Sequence, residues 1–242
     1  MIIKTTDQQT AVHWKTQRND MSKLLNDLRR KYGQQSCQVQ SKSSLKVSEF
    51  GGWCREDSLP GSKEHVTDKR FLQGLSTFLA NKTVGSFGDG PGHYKAGMEA
   101  LGDVRSYTAY DGAPFVEEVT DGKVNFMDLS APQYGYPVFD WVLSFEVGEH
   151  IPAQFEDIFL DNVVRHAREG VVLSWAKIGQ GGHSHVNNKN LSSVVMQMER
   201  RGFSLNDVMS NHMMNQANYL WLRQNVRVYV RTIPGSLDVN DA

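Results

Sequence analysis

The order of apolar and polar positions predicts strands that alternate with helices from about residue 67 to the end of the 242-residue chain. Short apolar runs predict five strands, and apolar residues three or four positions apart predict the helices between them. The predicted strands are residues 83–87, 105–110, 124–127, 141–145 and 170–175; the predicted helices are residues 67–79, 94–101, 152–166 and 191–201. Strand–helix alternation implies right-handed crossovers and a mostly parallel sheet that binds ligands at the carboxyl ends of its strands.

The sequence pattern predicts a helical cap over the first 80 residues, followed by one catalytic-type domain over residues 81–242. Met21, Leu24, Leu25 and Leu28 are spaced as on one face of a helix, and Asp20 before them suits a helix N-cap. The basic residues of this helix are interpreted as solvent-exposed charge, with a phosphate grip as the alternative. The polar run at residues 33–44 predicts a loop.

A glycine-rich turn at the end of the first strand is the strongest functional signal. The segment VGSFGDGPGHY, residues 84–94, is typical of a strand, a tight turn and a helix start, where glycines let a ligand approach a backbone that exposes its N–H groups. Asp111 ends the next strand about 20 residues later, where nucleotide-binding α/β folds bind a ribose hydroxyl. His93 occupies the position where a dinucleotide fold needs a third glycine or an alanine, which weakens a nicotinamide interpretation.

Four strand-end segments carry a family resemblance. The segments VGSFGDGPG, TAYDG, VNFMDL and FDWVLSFEVGEHIP resemble, in order and spacing, the motifs of class I S-adenosylmethionine (SAM)-dependent methyltransferases, including metazoan methyltransferase-like proteins. The resemblance covers residues 84–231 and implies a Rossmann-like α/β sheet with an antiparallel last strand, for which the alternating segment 221–231 is the candidate.

The same resemblance implies a cofactor site. Gly88, Gly90 and Gly92 would lie against the methionine part of SAM. Asp111 would hold the ribose, and Asp128 with Met127 would flank the adenine. Ser86 stands where the family usually has an acidic residue, so the methionine amino group needs a further partner. The full set of expected cofactor contacts is Ser86, Gly88, Asp89, Gly90, Asp111, Met127, Asp128, Phe145, Glu146 and Trp53. Trp53, beside two glycines, either packs on the core or lines the cofactor mouth.

A second cluster predicts a metal site or a catalytic base. Glu146, Glu149 and His150 share one face if the chain turns helically after the fourth strand, and His183 and His185 point the same way if their segment is extended. Mixed carboxylate and imidazole ligands suit Mg²⁺, Mn²⁺, Fe²⁺ or Zn²⁺. The ExxEH segment resembles metal-dependent 2′-O- and ubiquinone-pathway O-methyltransferases, although metal-free relatives also carry a Glu-His pair. Without a metal, a histidine with a near-neutral pKa would remove the acceptor's proton: His150 first, then His183 or His185.

Charge narrows the choice of partner. The formal net charge is −1, which disfavours nucleic-acid binding through bulk charge. Residues 97–161 carry 13 acidic against 2 basic residues, which suits a cationic sulfonium or is simply a solvated acidic surface. Cys37 and Cys54 do not amount to a disulfide framework and their pairing cannot be judged from the sequence, so reduced cysteines in a cytoplasmic protein are the simpler expectation. The first residues lack the apolar stretch of a leader, and no apolar run has the length of a membrane span; whether a leader was removed is left open. The oligomeric state is left open.

Three functions are compatible with these features. The leading prediction is methylation of an O or N nucleophile on a small molecule, with SAM as the methyl donor and with or without a divalent metal. The alternatives are a metal-dependent RNA-end or glycan O-methyltransferase, which the basic amino-terminal segment favours, and a SAM-binding module without catalysis.

Overall fold

The computed structural model describes residues 2–39, 47–55, 58–61 and 65–232, with side chains from residue 8 onwards, and contains one seven-stranded sheet. The strands are β1 (Thr83–Phe87), β2 (Ser106–Asp111), β3 (Asn125–Phe126), β4 (Phe139–Phe145), β5 (Ala167–Ser174), β6 (Phe203–Leu205) and β7 (Arg227–Arg231). Their order is β3-β2-β1-β4-β5-β7-β6, and the first five are parallel, whereas β7 is antiparallel to both neighbours. The mostly parallel sheet with an antiparallel last strand confirms the predicted fold class.

Eight helices accompany the sheet in this part of the chain. They are α1 (Ile2–Val39), α2 (Lys69–Phe78), α3 (His93–Leu101), α4 (Val116–Val119), α5 (Glu156–Arg165), α6 (Leu191–Arg200), α7 (Asp207–Gln216) and α8 (Leu220–Asn225). Short 3-10 turns at Gly148–His150 and Ala153–Phe155 connect β4 to α5. The five strands and four helices predicted by periodicity are therefore present, with ends that differ by a few residues.

Both faces of the sheet are covered by apolar side chains, because successive residues of a strand point to opposite faces. On one face, Val84 and Leu143 belong to a core with Phe71 and Leu75 of α2. On the other face, strand residues pack against Phe159 of α5 and the apolar side of α6. Helix α2 thus contributes to the sheet's own core, although the sequence groups it with the cap; the domain division at residue 80 stays a prediction.

Two local predictions are wrong. The alternating segment 221–231 is a strand only from Arg227, because its first part continues helix α8. The loop predicted at residues 33–44 is helical as far as Val39, and residues 40–46 lie outside the described residues. Within this helix, Gly33 lies so close to Pro114 that a Cβ would come within 2.6 Å of the proline ring, so glycine fits here without a shift of its neighbour.

Helix α1 lies along the β3 edge of the sheet and meets it through polar side chains. Asn26 donates to the carbonyl of Phe126 and accepts from the N–H of Asp128, and Ser22 donates to the carbonyl of Pro132. The apolar face predicted from Met21 to Leu28 points away from the sheet instead, as described below.

A disulfide joins Cys37, near the end of α1, to Cys54. The expectation of reduced cysteines is therefore wrong, and the cytoplasmic assignment that rested on it loses its basis, because disulfides persist mainly in oxidising compartments. Within the described residues, none of the helices has both the length and the apolar character needed to cross a bilayer.

Candidate active site

The glycine turn follows β1 at the carboxyl edge of the sheet. Gly88, Gly90 and Gly92 all have positive φ, at 90°, 61° and 86°, a conformation that side chains with a Cβ rarely adopt. Contrary to the prediction, the turn does not expose its N–H groups. Those of Gly88 and Asp89 donate to the carbonyl of Tyr110, and that of Gly90 donates to Oδ2 of Asp111. What the turn offers a ligand is backbone surface without a Cβ.

Asp111 is held rigidly at the end of β2. Its two carboxylate oxygens accept the N–H groups of Gly90 and Ala113, each at 2.8 Å. Burial raises the pKa of Asp111, although these hydrogen bonds and the nearby His65 act in the opposite direction. Each oxygen keeps a second lone pair, so the carboxylate is able to accept two neighbouring hydroxyls of a ribose.

Asp89 of the glycine turn places a carboxylate beside Ser86. Ser86 Oγ and Tyr107 OH both donate to Asp89 Oδ1, at 2.6 and 2.8 Å. Burial raises the pKa of Asp89 to about 6, against the effect of these two hydrogen bonds. The carboxylate is thus displaced from the strand to the turn, three residues further along the chain.

The segment Gly51–Gly52–Trp53 lies directly on the carboxyl edge of the sheet. A Cβ on Gly52 would come within 2.0 Å of the carbonyl oxygen of Gly112, and one on Gly51 within 2.3 Å of that of His150. Only glycine permits this approach, which places the Trp53 ring over the site. Trp53 therefore lines the cavity, the second of the two interpretations of this residue.

Trp53 is surrounded by imidazoles. Its ring centroid is 4.7 Å from that of His65, 5.7 Å from that of His150 and 5.5 Å from that of His183. The Trp53 ring thereby connects the glycine turn with the histidine cluster. His65 also faces Gly90, where a Cβ would lie 2.8 Å from the imidazole Nδ1.

Glu149, His150 and His185 come together at the end of β4. One potential ligand atom from each side chain lies within 4.8 Å of the others. The side chain of Glu149 is fully buried, and among the described residues neither of its oxygens has a well-aligned hydrogen-bond partner, although the backbone N–H groups of Glu149 and Ala176 lie close enough to lower its pKa; His150 Nδ1 also has no well-aligned partner. Unpartnered buried polar atoms are costly and need an explanation, which a cation held between them would provide.

Burial shapes the protonation of this cluster. Burial, followed by the charge of Glu146, raises the pKa of Glu149 well above its usual range. Burial, followed by the charge of His185, lowers the pKa of His150 to about 4. The near-neutral pKa expected of His150 as a general base is therefore not present, and its imidazole is neutral at physiological pH.

Two of the five predicted ligands lie outside this group. Glu146 adopts a left-handed conformation, with φ at 52°, and its carboxylate accepts from Gln180 and Asn225 instead of sharing a helical face with Glu149. Ser184 is also left-handed, with φ at 56°, so the segment is not extended and its two histidines diverge. His183 faces Trp53, whereas His185 Nε2 lies 4.0 Å from Glu149 Oε1.

One cavity of about 490 Å³ is lined by the glycine turn, Asp111 and the imidazoles of His150, His183 and His185, whereas Glu149 is fully buried and does not line it. Nine of the ten expected cofactor contacts line it: Ser86, Gly88, Asp89, Gly90, Asp111, Asp128, Phe145, Glu146 and Trp53. Met127 is the exception, because its side chain is fully buried on the α5 face of the sheet. Among the described residues that line the cavity there are four carboxylates and no lysine or arginine.

Several residues that build the site were missed in the sequence. Arg29 of α1 binds Asp128 Oδ2 at 2.8 Å, Gln180 and Asn225 hold Glu146, and His65 covers the glycine turn. Each acts across the chain, for example from position 29 to position 128, and none belongs to a local motif. A pattern within one sequence gives no signal for such contacts.

Comparisons with solved structures identify the same fold. The magnesium protoporphyrin IX methyltransferase of Synechocystis PCC 6803 with bound SAH matches with a TM-score of 0.50 and 15% identity, over 67% of this chain and 83% of that chain. A Haemonchus contortus phosphoethanolamine N-methyltransferase has a TM-score of 0.49 and 14% identity, over 72% of this chain and 55% of that one. A Burkholderia thailandensis 1,6-didemethyltoxoflavin N1-methyltransferase has a TM-score of 0.46 and 16% identity, over 68% and 80%.

No protein-family model and no curated protein sequence matches the chain. At 15% identity, the similarity to the Synechocystis enzyme shows the fold alone. The chain therefore has the class I methyltransferase fold that its motifs imply.

Proposed function

We propose that the protein is a SAM-dependent methyltransferase that modifies an oxygen or nitrogen of a small molecule. The observation that carries this proposal is one cavity whose lining joins the Cβ-free glycine turn and Asp111 with the imidazoles of His150, His183 and His185. SAM supplies the methyl carbon, and methyl transfer by in-line displacement requires the protein mainly to align and desolvate the reactants.

The residues present fit SAM. The glycine turn leaves room for the methionine part, Asp111 has lone pairs for the ribose hydroxyls, and Asp128 lies beside the adenine position that the resemblance implies. Four carboxylates along the wall favour the sulfonium charge. Trp53 closes the cavity from above with a ring able to face that charge.

A divalent cation fits the group of Glu149, His150 and His185. These side chains would hold it, and such a cation polarises an acceptor oxygen and lowers its pKa. His183 is then left to accept the acceptor's proton: its Nε2 is buried and has no hydrogen-bond partner among the described residues. The two roles that compete for His150 in the sequence are thus divided between different histidines.

A small acceptor is favoured over RNA. The wall of the cavity offers carboxylates and no cationic side chain among the described residues, so a phosphate entering it would be repelled. The basic residues of α1 do not change this, because Arg29 and Arg30 are paired with Asp128 and Glu117.

Titration calorimetry with SAM tests the cofactor site. We expect Asp111→Ala to weaken SAM binding by roughly tenfold to a hundredfold, since it removes charge-assisted hydrogen bonds to two hydroxyls. Asp157→Ala, at an exposed carboxylate on α5, is the matched control and should bind SAM like the wild type. Equal affinity in all three proteins would contradict the assignment of Asp111. A methyl-release assay on a metabolite mixture then separates an enzyme from a binding module.

The two glutamates of the ExxEH segment test the cation site. We expect Glu149→Gln to abolish Mn²⁺ binding measured by calorimetry, because it removes the only carboxylate of the three-residue group. Glu146→Gln, three residues away and held by Gln180 and Asn225, should keep it. Loss of Mn²⁺ binding in Glu146→Gln but not in Glu149→Gln would show that the ligand assignment is wrong.

A further inference from the structure

Helix α1 exposes an apolar stripe, which Gln17 and Arg18 interrupt between Trp14 and Met21. Its members are Trp14 (63% exposed), Met21 (64%), Leu24 (52%), Leu25 (39%), Leu28 (52%) and Tyr32 (50%). An isolated exposed leucine is ordinary, but a run of six large apolar side chains on one helix face marks an interaction site.

The stripe cannot turn inward, because the opposite face of α1 is fixed to the domain. Ser22 and Asn26 are buried and hydrogen-bonded to the segment around Phe126 and Pro132, and Cys37 is bonded covalently to Cys54. Rotation of the helix to bury the stripe would break these contacts and expose their polar partners. The stripe is therefore left for something outside the described fold.

A lipid surface is disfavoured. Helices that bind anionic headgroups present clusters of about four to eight free basic residues. In α1, Arg29, Arg30 and Lys31 are held in ion pairs. Among the residues whose side chains are described, Lys15, Arg18 and Lys23 have no ion pair, and these three charges are fewer than such a cluster. The charge of α1 therefore favours a partner that is itself a protein.

We propose that the stripe is a dimer interface between two copies of this chain, formed by α1 against α1. Intervals of seven, four, three and four residues link Trp14, Met21, Leu25, Leu28 and Tyr32, which is the spacing that lets two helices interlock along a seam. An apolar stripe is self-complementary, as a two-fold interface requires. The exposed parts of the six side chains amount to roughly 650 Å² per chain, close to the ~800 Å² per partner of a standard interface once a polar rim is added.

Sedimentation velocity on the full chain tests this interface. The wild type should show twice the monomer mass, with dissociation on dilution. Leu28→Glu should raise the dimer dissociation constant by more than roughly a hundredfold, because it would place an unpaired carboxylate in the seam. Val208→Glu is the matched control: Val208 is 81% exposed on α7, away from α1, and the variant should dimerise like the wild type.

Circular dichroism of the Leu28→Glu variant shows whether it is folded, as expected for a half-exposed position. If that variant is unfolded, Leu24→Glu serves the same purpose on the neighbouring turn. A wild type that stays monomeric at all concentrations, or a dimer equally strong in the Leu28→Glu and Val208→Glu variants, would overturn the proposal. So would a monomeric wild type that sediments with phosphatidylserine vesicles, since the stripe would then cover lipid.

Discussion

Acid should destabilise the protein through His166, and the size of the effect follows from its burial. His166 is fully buried at the end of α5, and its Nδ1 hydrogen-bonds the carbonyl of Asn162 at 2.7 Å. Burial lowers the pKa of His166 to about 4, against the effect of this hydrogen bond. An unfolded chain has the ordinary value of 6.5. Between these two values the unfolded state binds more protons than the folded state, so the stability falls as the pH falls.

The two pKa values set the magnitude. Linkage predicts that His166 lowers the free energy of unfolding by about 2 kcal/mol between pH 7 and pH 5, and by about 3 kcal/mol at pH 4. The contribution is fully present above the unfolded pKa and is lost as the pH drops towards the folded pKa. Asp89 acts in the opposite direction: its pKa is raised to about 6, so acidification to pH 5 should stabilise the fold by about 1 kcal/mol through this group.

Urea unfolding at pH 7 and pH 5 separates these contributions. His166→Asn keeps an N–H near the Asn162 carbonyl but does not titrate. On acidification from pH 7 to pH 5, its free energy of unfolding should therefore fall by about 2 kcal/mol less than that of the wild type. His212→Asn, at an exposed position of α7, is the control and should behave like the wild type. Asp89→Asn should lose about 1 kcal/mol more than the wild type. An identical pH dependence in wild type and His166→Asn would refute the argument from burial.

Two further substitutions test contacts between distant parts of the chain. Cys37→Ser removes a disulfide between residues 17 positions apart and should lower the free energy of unfolding, measured in urea, by about 3 kcal/mol. A reducing agent should lower the free energy of unfolding of the wild type by the same amount and leave that of the variant unchanged. Asp68 caps α2 by accepting the N–H groups of Arg70 and Phe71, and it also accepts that of Tyr219. Asp68→Ala should cost about 2–4 kcal/mol by thermal or urea unfolding and Asp68→Asn clearly less, so an equal cost would show that the charge is unimportant.

Local periodicity was sufficient to predict the sheet. Strands β1, β4 and β5 are buried on both faces and therefore appear as apolar runs, and the stripes of α2 and α5 face the core as their spacing predicts. Period alone did not separate α8 from β7. The start of α8 is fixed by Asp68, 150 residues earlier, which accepts the N–H groups of Asn218 and Tyr219. Such a contact has no local pattern in the sequence.

The orientation of α1 shows the limit of the amphipathic argument. The spacing of Met21, Leu25 and Leu28 correctly predicts a helix with an apolar face, but it does not say which neighbour covers that face. Instead, α1 contacts the domain through Ser22 and Asn26, because the backbone at and after β3 presents N–H and carbonyl groups that need hydrogen-bond partners. The need of these backbone groups for hydrogen-bond partners therefore determines which face of the helix packs against the sheet edge.

The site was predictable where parallel strands determine it, and not where loops do. The ends of β1 and β2 bring the glycine turn to Asp111, and those of β4 and β5 bring Glu149 towards His185, as expected for neighbouring parallel strands. The positive φ of Glu146 and Ser184 was not predictable, and it decides that Glu149, His150 and His185 come together while Glu146 and His183 do not. Trp53 joins the two halves because Cys54, the next residue, is tied to α1. Reduction of that disulfide should therefore loosen the cover of the proposed SAM site as well as the fold.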